Sequence, residues 1–220
     1  MDTKVFAFQS ICSVVAFIFM FSTLTYGQEL KPIKLLEPQT TGGKPLMQAL
    51  KDRHSSREFS TEKLPPQVLS NLLWAAFGVN RPSGQRTAPS AVNWQDIDIY
   101  VAMEEGLYIY DAKINILNPV LAEDIRALTG LQPFPKTVPA DLIYVSDQSR
   151  MTRAGSQEQK DLYSAADAGF ISQNVYLFCA SEGLATVVIA MIDKPTLAKK
   201  MGLKPEQKII LVQPVGYPKK

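Results

Sequence analysis

The stretch from Lys160 to Leu184, KDLYSAADAGFISQNVYLFCASEGL, constrains the rest of the chain most. It reads as one long helix. Apolar or small residues at Leu162, Ala165, Ala166, Gly169, Phe170, Val175, Leu177, Phe178 and Ala180 reach nearly every face. A helix of that kind is expected in the middle of a domain. Asp167, Gln173, Asn174 and Glu182 interrupt it too often for a membrane span. Ala165, Ala166, Ala168 and Gly169 keep one side thin, so that another backbone can approach. Gly183 suits a left-handed C-cap. The run Ala185 to Ile189 that follows is β-branched and reads as a buried strand.

The remaining elements are arranged around this helix. Pro45 to Asp52 reads as a short helix, and Pro66 to Phe77 as a second one with Val68, Leu69, Leu72, Leu73 and Ala76 at helical spacing. Residues 80–93 form a long loop, of a length that is often functional. Ile97 to Val101 and Leu107 to Ala112 read as a hairpin turned at Gly106. A helix is expected over Pro119 to Leu128, closed by Gly130. Strands follow at Ala140 to Val145 and Gln207 to Val215, with a short helix at Lys194 to Met201 between them. Helices and strands neither alternate nor segregate, which predicts an α+β domain whose mixed β-sheet packs on central helices.

Residues 1–27 read as a secretory signal peptide. Lys4 precedes the apolar core Val14 to Phe21, and small residues lead to Gly27. Residues 28–44 are aperiodic and read as an N-terminal arm, which leaves 45–220 as the domain. Cys12 lies in the leader, so Cys179 is the one cysteine of the exported chain. Export without a disulfide suits a periplasmic compartment. Cys179 sits on the buried helix with no His or Lys close in sequence, a poor setting for a reactive thiol. A net charge of +2 gives no footprint for nucleic acid or a membrane surface, and no stable membrane insertion is expected once the leader is removed.

Much catalytic chemistry is thinly provided for. His54 is the single histidine, so a Ser-His-Asp triad would have to be built on it and a His-based metal site is all but excluded. No G-x-G-x-x-G or Walker A pattern occurs. Three stretches remain. Arg53-His54-Ser55-Ser56-Arg57 gathers guanidiniums, hydroxyls and backbone amides into a seat for a phosphate dianion, or is simply a solvated basic turn. Arg86 to Asn93 is a loop stiffened by Pro89. Its Asn93 offers a donor and an acceptor to a flat heterocycle, or only satisfies the loop's own backbone. The strand end Val188 to Met191 could turn backbone N–H groups toward a ring, or be plain core.

These residues carry a resemblance. RHSSREF resembles the R-x-S-x-R-x-F motif near the start of the FMN-dependent nitroreductase family, and RTAPSAVNWQ resembles that family's A-P-S-x-x-N-x-Q loop. The stretch LLWAAFGVNRPSGQRTAPSA is most similar to the branch containing the azoline dehydrogenases of thiazole/oxazole peptide biosynthesis. AADAGFISQNVYLFCASEGL and the closing VGYP also match, so the similarity covers Pro45 to Lys220. The order of four such motifs over one domain is more specific than any one of them.

The resemblance implies a nitroreductase-like fold and an intertwined homodimer with FMN at the subunit interface. Arg53, His54, Ser55 and Arg57 would hold the phosphate and ribityl chain, and Lys219 or Lys220 would supply a C-terminal cation. Asn93, with Gln95 as a lesser candidate, would meet the isoalloxazine edge, and Ala190 and Met191 would lie against its face. Many relatives carry an acidic residue and a Gly where this chain has Ala190-Met191. The implied activity is ping-pong transfer of hydride from a reduced nicotinamide, or another small-molecule donor, to an electron-poor acceptor such as a nitroaromatic or quinone. No side chain need be catalytic, since the flavin carries the chemistry. A secreted protein that binds a flavin or flat ligand without turnover, or a structural dimer with an empty pocket, fits the same residues.

Overall fold

The computed structural model describes residues 29–220; the predicted signal peptide, residues 1–27, lies outside them. Prolines and glycines set the helix ends. α1 (Leu46–Asp52) starts behind Pro45, and α2 (Pro66–Phe77) has Pro66 in its first turn, where a missing N–H removes no bond. α3 (Gln157–Glu182) is capped by the Ser156 hydroxyl, which accepts the Gln159 N–H, and ends where Gly183 turns left-handed at φ 71°. α4 (Lys194–Met201) repeats this scheme with Asp193 and Gly202.

Seven strands form one sheet. They are β1 (Ile33–Lys34), β2 (Ile97–Met103), β3 (Gly106–Asp111), β4 (Ile116–Leu121), β5 (Ala140–Asp147), β6 (Ala185–Thr186) and β7 (Gln207–Gly216), in the order β1-β4-β3-β2-β5-β7-β6. The α+β class holds. The sheet, expected to be mixed, instead pairs antiparallel throughout the described residues. Its centre is a run of tight reversals from β2 to β3 to β4, and each reversal turns the chain antiparallel to its neighbour. At the first reversal Gly106 adopts φ 150°, and a Cβ there would lie 2.5 Å from the Leu121 carbonyl oxygen.

Successive side chains of the central strands face opposite layers, and both layers are apolar. Ile97, Ile99 and Val101 of β2, with Leu142 and Tyr144 of β5, pack under Leu69, Leu72 and Leu73 of α2 and Ala168, Ile171 and Val175 of α3. Tyr100 and Ala102, with Ile143 and Val145, face Leu197 and Met201 of α4, joined by Ile125 and Ile189. β5 is therefore buried along nearly its whole length.

Four expectations are revised. Pro119 to Leu128 is not a helix. Ile116–Leu121 pairs with β3, and only Arg126–Leu128 coils, as a single 3₁₀ turn. Asn115, at φ 53°, reverses the chain early enough to make the strand. Pro119 is tolerated because β1 pairs only with Ile116 and Leu117, so the missing N–H breaks no bond on that side. The run Ala185 to Ile189 is a two-residue strand followed by an isolated bridge, Ile189 to Val212. Residues 29–44 are no free arm, since Leu35 is buried in the core beside the β1 edge strand. Finally, α3 buries one stripe only: Ser164, Asp167, Ala168, Ile171, Ser172, Val175 and Cys179. Leu162 and Phe170 are exposed at 65% and 48%, and Ala165, Ala166 and Gly169 lie open beside them.

Ile171 sits at the centre of this packing with no exposed surface. Ile171→Ala is expected to lower stability by about 2–5 kcal/mol, read as a fall in the urea midpoint at unchanged m-value.

Candidate functional site

The basic stretch after α1 is held as an extended strap. His54 Nδ1 lies 2.8 Å from the Asp52 carbonyl, so Nδ1 carries the proton and donates. Ser56 N–H then donates to Thr186 O at 2.9 Å, and Ser60 N–H to Tyr217 O at 2.8 Å. Lys219 N–H donates back to Glu58 O at 3.2 Å, and Phe59 bridges Pro218. The strap is thus clamped between the end of β6 and the C-terminal segment.

Tyr176 of α3 is the joint. Its hydroxyl oxygen accepts the Val188 N–H at 2.9 Å and shares a hydrogen bond with the Ser55 hydroxyl, also at 2.9 Å. The Arg53 guanidinium lies 5.2 Å from the centre of the same ring, within cation–π range. β6 ends after two residues where its register would next pair Val187 with Pro214, which has no N–H to give. The chain then runs to Ala190 and Met191, which are both exposed and whose N–H groups reach no backbone acceptor among the described residues. Met191 O accepts Leu131 N–H at 3.0 Å, and Phe134 from that same loop stacks on Phe59 at 5.5 Å.

The strap carrying Arg53, His54, Ser55 and Arg57 is therefore tied to the C-terminal segment before Lys220 through Lys219 N–H, and through Tyr176 to the segment that leads to Ala190 and Met191. Arg53, Arg57, Lys219 and Lys220 form no ion pair among the described residues, although Glu58 stands beside them in sequence. Uncompensated cations, a hydroxyl and free amides suit an anion with a flat group attached. The donor set fits a group of that kind, such as a flavin mononucleotide.

Asn93 and Gln95 are not on these segments. Their turn is pinned to α3 at Asp167, whose two carboxylate oxygens accept the Ala91 N–H at 3.2 and 3.0 Å, and Trp94 meets Tyr163 edge-on at 5.6 Å. Tyr176 lies nine positions along the helix from Asp167, about 14 Å at the usual rise. Val92, Asn93 and Gln95 all adopt positive φ, at 52°, 56° and 48°. Gln95 is used up inside the loop. Its Oε1 accepts Arg86 Nε–H at 3.0 Å, and its Nε2 donates to Gly84 O at 3.0 Å and Asn93 Oδ1 at 3.1 Å. Gln95 shapes the loop, which leaves Asn93, exposed and with no hydrogen bond from its Nδ2 among the described residues, as the group that can meet a ligand. Burial lowers Arg86 below its ordinary value, in keeping with a strut rather than a contact.

Sequence reasoning missed Tyr176, Asp167 and Arg86. Tyr176 counted only as part of the helix, and Asp167 only as a polar interruption. The one available signal was a carboxylate on what proves to be the buried face. Cys179 is confirmed as structural: it is 1% exposed, and burial pushes its thiol far above the ordinary range.

A family model described as the nitroreductase family matches residues 50–217. A Methanocaldococcus jannaschii protein, provisionally named a nitroreductase, is 32% identical over 174 residues, covering 74% of this chain and 86% of its own length. A crystal structure from Ralstonia eutropha JMP134, also provisionally named a nitroreductase, is similar at TM-score 0.83 and 42% identity, over 88% of this chain and 92% of that one. The NADPH:FMN oxidoreductase of Vibrio harveyi, solved with NAD+, shares the fold at TM-score 0.59 and 18% identity, over 80% of this chain and 69% of that one.

Tyr176→Phe strands the Val188 N–H and frees Ser55. It is expected to cost about 1–3 kcal/mol of stability and to speed hydrogen exchange at the Val188 amide well beyond that at Ile189, which keeps its Val212 partner.

Proposed function

The chain belongs to the nitroreductase family, and from that premise we propose that it is an FMN-dependent oxidoreductase. It passes electrons from a reduced nicotinamide, or another small donor, to an electron-poor acceptor such as a nitroaromatic or a quinone. The observation that carries this reading is the set of tied segments, which carries unpaired cations at Arg53, Arg57, Lys219 and Lys220 and the open N–H groups of Ala190 and Met191. When bound, FMN supplies the hydride chemistry, and no side-chain nucleophile is needed. Arg53 and Arg57 hold the phosphate, with Ser55 oriented by Tyr176. The Ala190 and Met191 amides face the ring and offer hydrogen bonds where negative charge gathers on reduction. Ala190 puts a methyl where an acidic group is common in relatives, and Met191 an apolar thioether where they carry a Gly, which favours flat, uncharged acceptors. Within the family, the spacing from Leu72 to Ala91 favours the azoline-dehydrogenase-like branch.

Asn93 reaches the ring through a second copy. The strap and the Asn93 turn attach to α3 about 14 Å apart along its axis, and the open face of the helix beside and between these points carries Leu162, Ala165, Ala166, Gly169 and Phe170. Exposed Leu46, Met47 and Leu50 of α1 extend that apolar surface. A homodimer packed through these helices covers it and brings Asn93 of one protomer toward the strap of its partner. The thin Ala/Gly side of α3 allows the close approach. The predicted leader places the enzyme in the periplasm, with FMN acquired after export. Among the described residues no helix is long and apolar enough to cross a membrane.

The test is the visible spectrum of residues 28–220 after incubation with FMN, then after anaerobic NADH or NADPH. A yellow protein that bleaches supports the oxidoreductase. One that stays yellow points to another donor or to binding without turnover, and a protein that cannot be loaded removes the flavin reading. Arg57→Ala is expected to weaken FMN binding by about 1.5–3 kcal/mol, measured by flavin fluorescence titration. Light scattering during gel filtration should give twice the protomer mass.

A further inference from the structure

Beneath the Asn93 turn lies a pair of carboxylates that the flavin reading does not use. Asp96 and Asp167 are 0% and 1% exposed. Asp167 accepts the Ala91 N–H with both oxygens. Asp96 Oδ2 accepts the Ser146 hydroxyl at 2.7 Å, and Ser146 in turn meets Ser164 at 2.8 Å. Asp96 Oδ1 is buried and meets no donor among the described residues, and Ser146 ties Asp96 to Ser164, three residues before Asp167 on the buried stripe of α3, so that the two carboxylates are neighbours in one buried space. A buried anionic oxygen without a donor, facing a second carboxylate, is expensive. The same oxygen carrying a proton is satisfied, because it donates to Asp167.

We propose that Asp96 is held as a carboxylic acid whose Oδ1–H donates to the Asp167 carboxylate, and that this proton locks the turn that presents Asn93. The two residues act as a positioning pair. Asp167 binds the Ala91 N–H at the foot of a turn that carries β-branched Val92 at φ 52°, a conformation the turn would not keep unaided. Loss of the proton puts two anions together in a buried space and frees the turn. That Asn93 then fails at a flavin edge rests on the function proposed above; the lock does not.

The surrounding charges agree with one retained proton. Burial, helped by Asp167, pushes Asp96 up to about 7, against the Ser146 hydrogen bond that lowers it. Arg150 is a cation that feels the Asp96 charge, but its guanidinium is occupied by Asp98 and the Gln95 carbonyl, with Asp147 at 3.5 Å. Arg86 serves Gln95 and the Phe77 carbonyl, and Asp161 is engaged by Gln148 and Gln157. Lys160, on the same helix, gives its Nζ to the Gln148 carbonyl. Among the described residues no cation forms an ion pair with Asp96 or Asp167. A raised folded-state value means that the acid form stabilises the fold at low pH, and that this contribution is lost as pH rises through about 7.

The experiment is a pH titration of Trp94 fluorescence in the protein carrying Trp74→Phe, from pH 5.5 to 8.5, with FMN affinity measured in parallel. The expected result is a transition near pH 7 that Asp96→Asn abolishes, since an amide donates to Asp167 at every pH. Ser146→Ala, which removes a bond to the ionised form, should move the midpoint upward. FMN affinity should fall about tenfold between pH 6 and 8.5 in the parent and stay level in Asp96→Asn. A flat parent titration, or a transition that survives Asp96→Asn, overturns the lock. If Asp96→Asn does not fold, an unmoved midpoint in Ser146→Ala overturns it. If the fluorescence transition behaves as stated but FMN binds at no pH, the lock stands and the flavin reading alone falls.

Discussion

Burial of the α3 stripe from Ser164 to Cys179 against the sheet sets where both halves of the site lie. The helix is long enough to hold the Asn93 turn near one end, through Asp167, and the basic strap near the other, through Tyr176. Both attachments are polar groups pointing out of an apolar layer, so each must find its partner or leave a buried donor or acceptor bare. That requirement makes the two loops follow the helix. The loops contribute few apolar anchors of their own, and their conformations are defined mainly by what α3 offers them.

Tyr176 shows how one side chain can fix several distances together. A phenol has one proton and two lone pairs. It accepts from the Val188 amide and shares a hydrogen bond with the Ser55 hydroxyl, and its ring face is left for Arg53. The strap, the segment after β6 and the helix are therefore held by the contacts of a single side chain.

Most of this architecture was legible in the residues. Pro66, Gly78, Gly183 and Gly202 mark helix ends that the structure keeps, and Gly106 marks its hairpin, whereas the long helix, read from Lys160, starts at Gln157 behind the Ser156 cap. The strap and the strand end were identified from residue type. What escaped was nonlocal. PVLAEDIRAL satisfies helical spacing as well as it satisfies a strand, and only the reversal at Asn115 and the β3 partner decide. The apolar face of α3 could not be sorted into a buried stripe and an open one, because Leu162 and Ile171 look alike until the sheet is placed. For the same reason the sequence could name Arg53 and Asn93 but not their separation on one chain. Val188, read as a strand residue, is diverted by a hydroxyl twelve positions earlier, which no propensity scale contains.

The sheet's two borders deserve their own reading. β1 and β6 are each only two residues long, so neither presents a row of unpaired amides and carbonyls to a neighbour. The Tyr176 hydroxyl caps one of the few groups that β6 would otherwise expose. Short borders of this kind deny a foreign strand the template it would need to add on. A concentrated population of these chains is thereby steered away from ribbon-like aggregation, and self-association is left to the helical surfaces, where it can close on itself and stop.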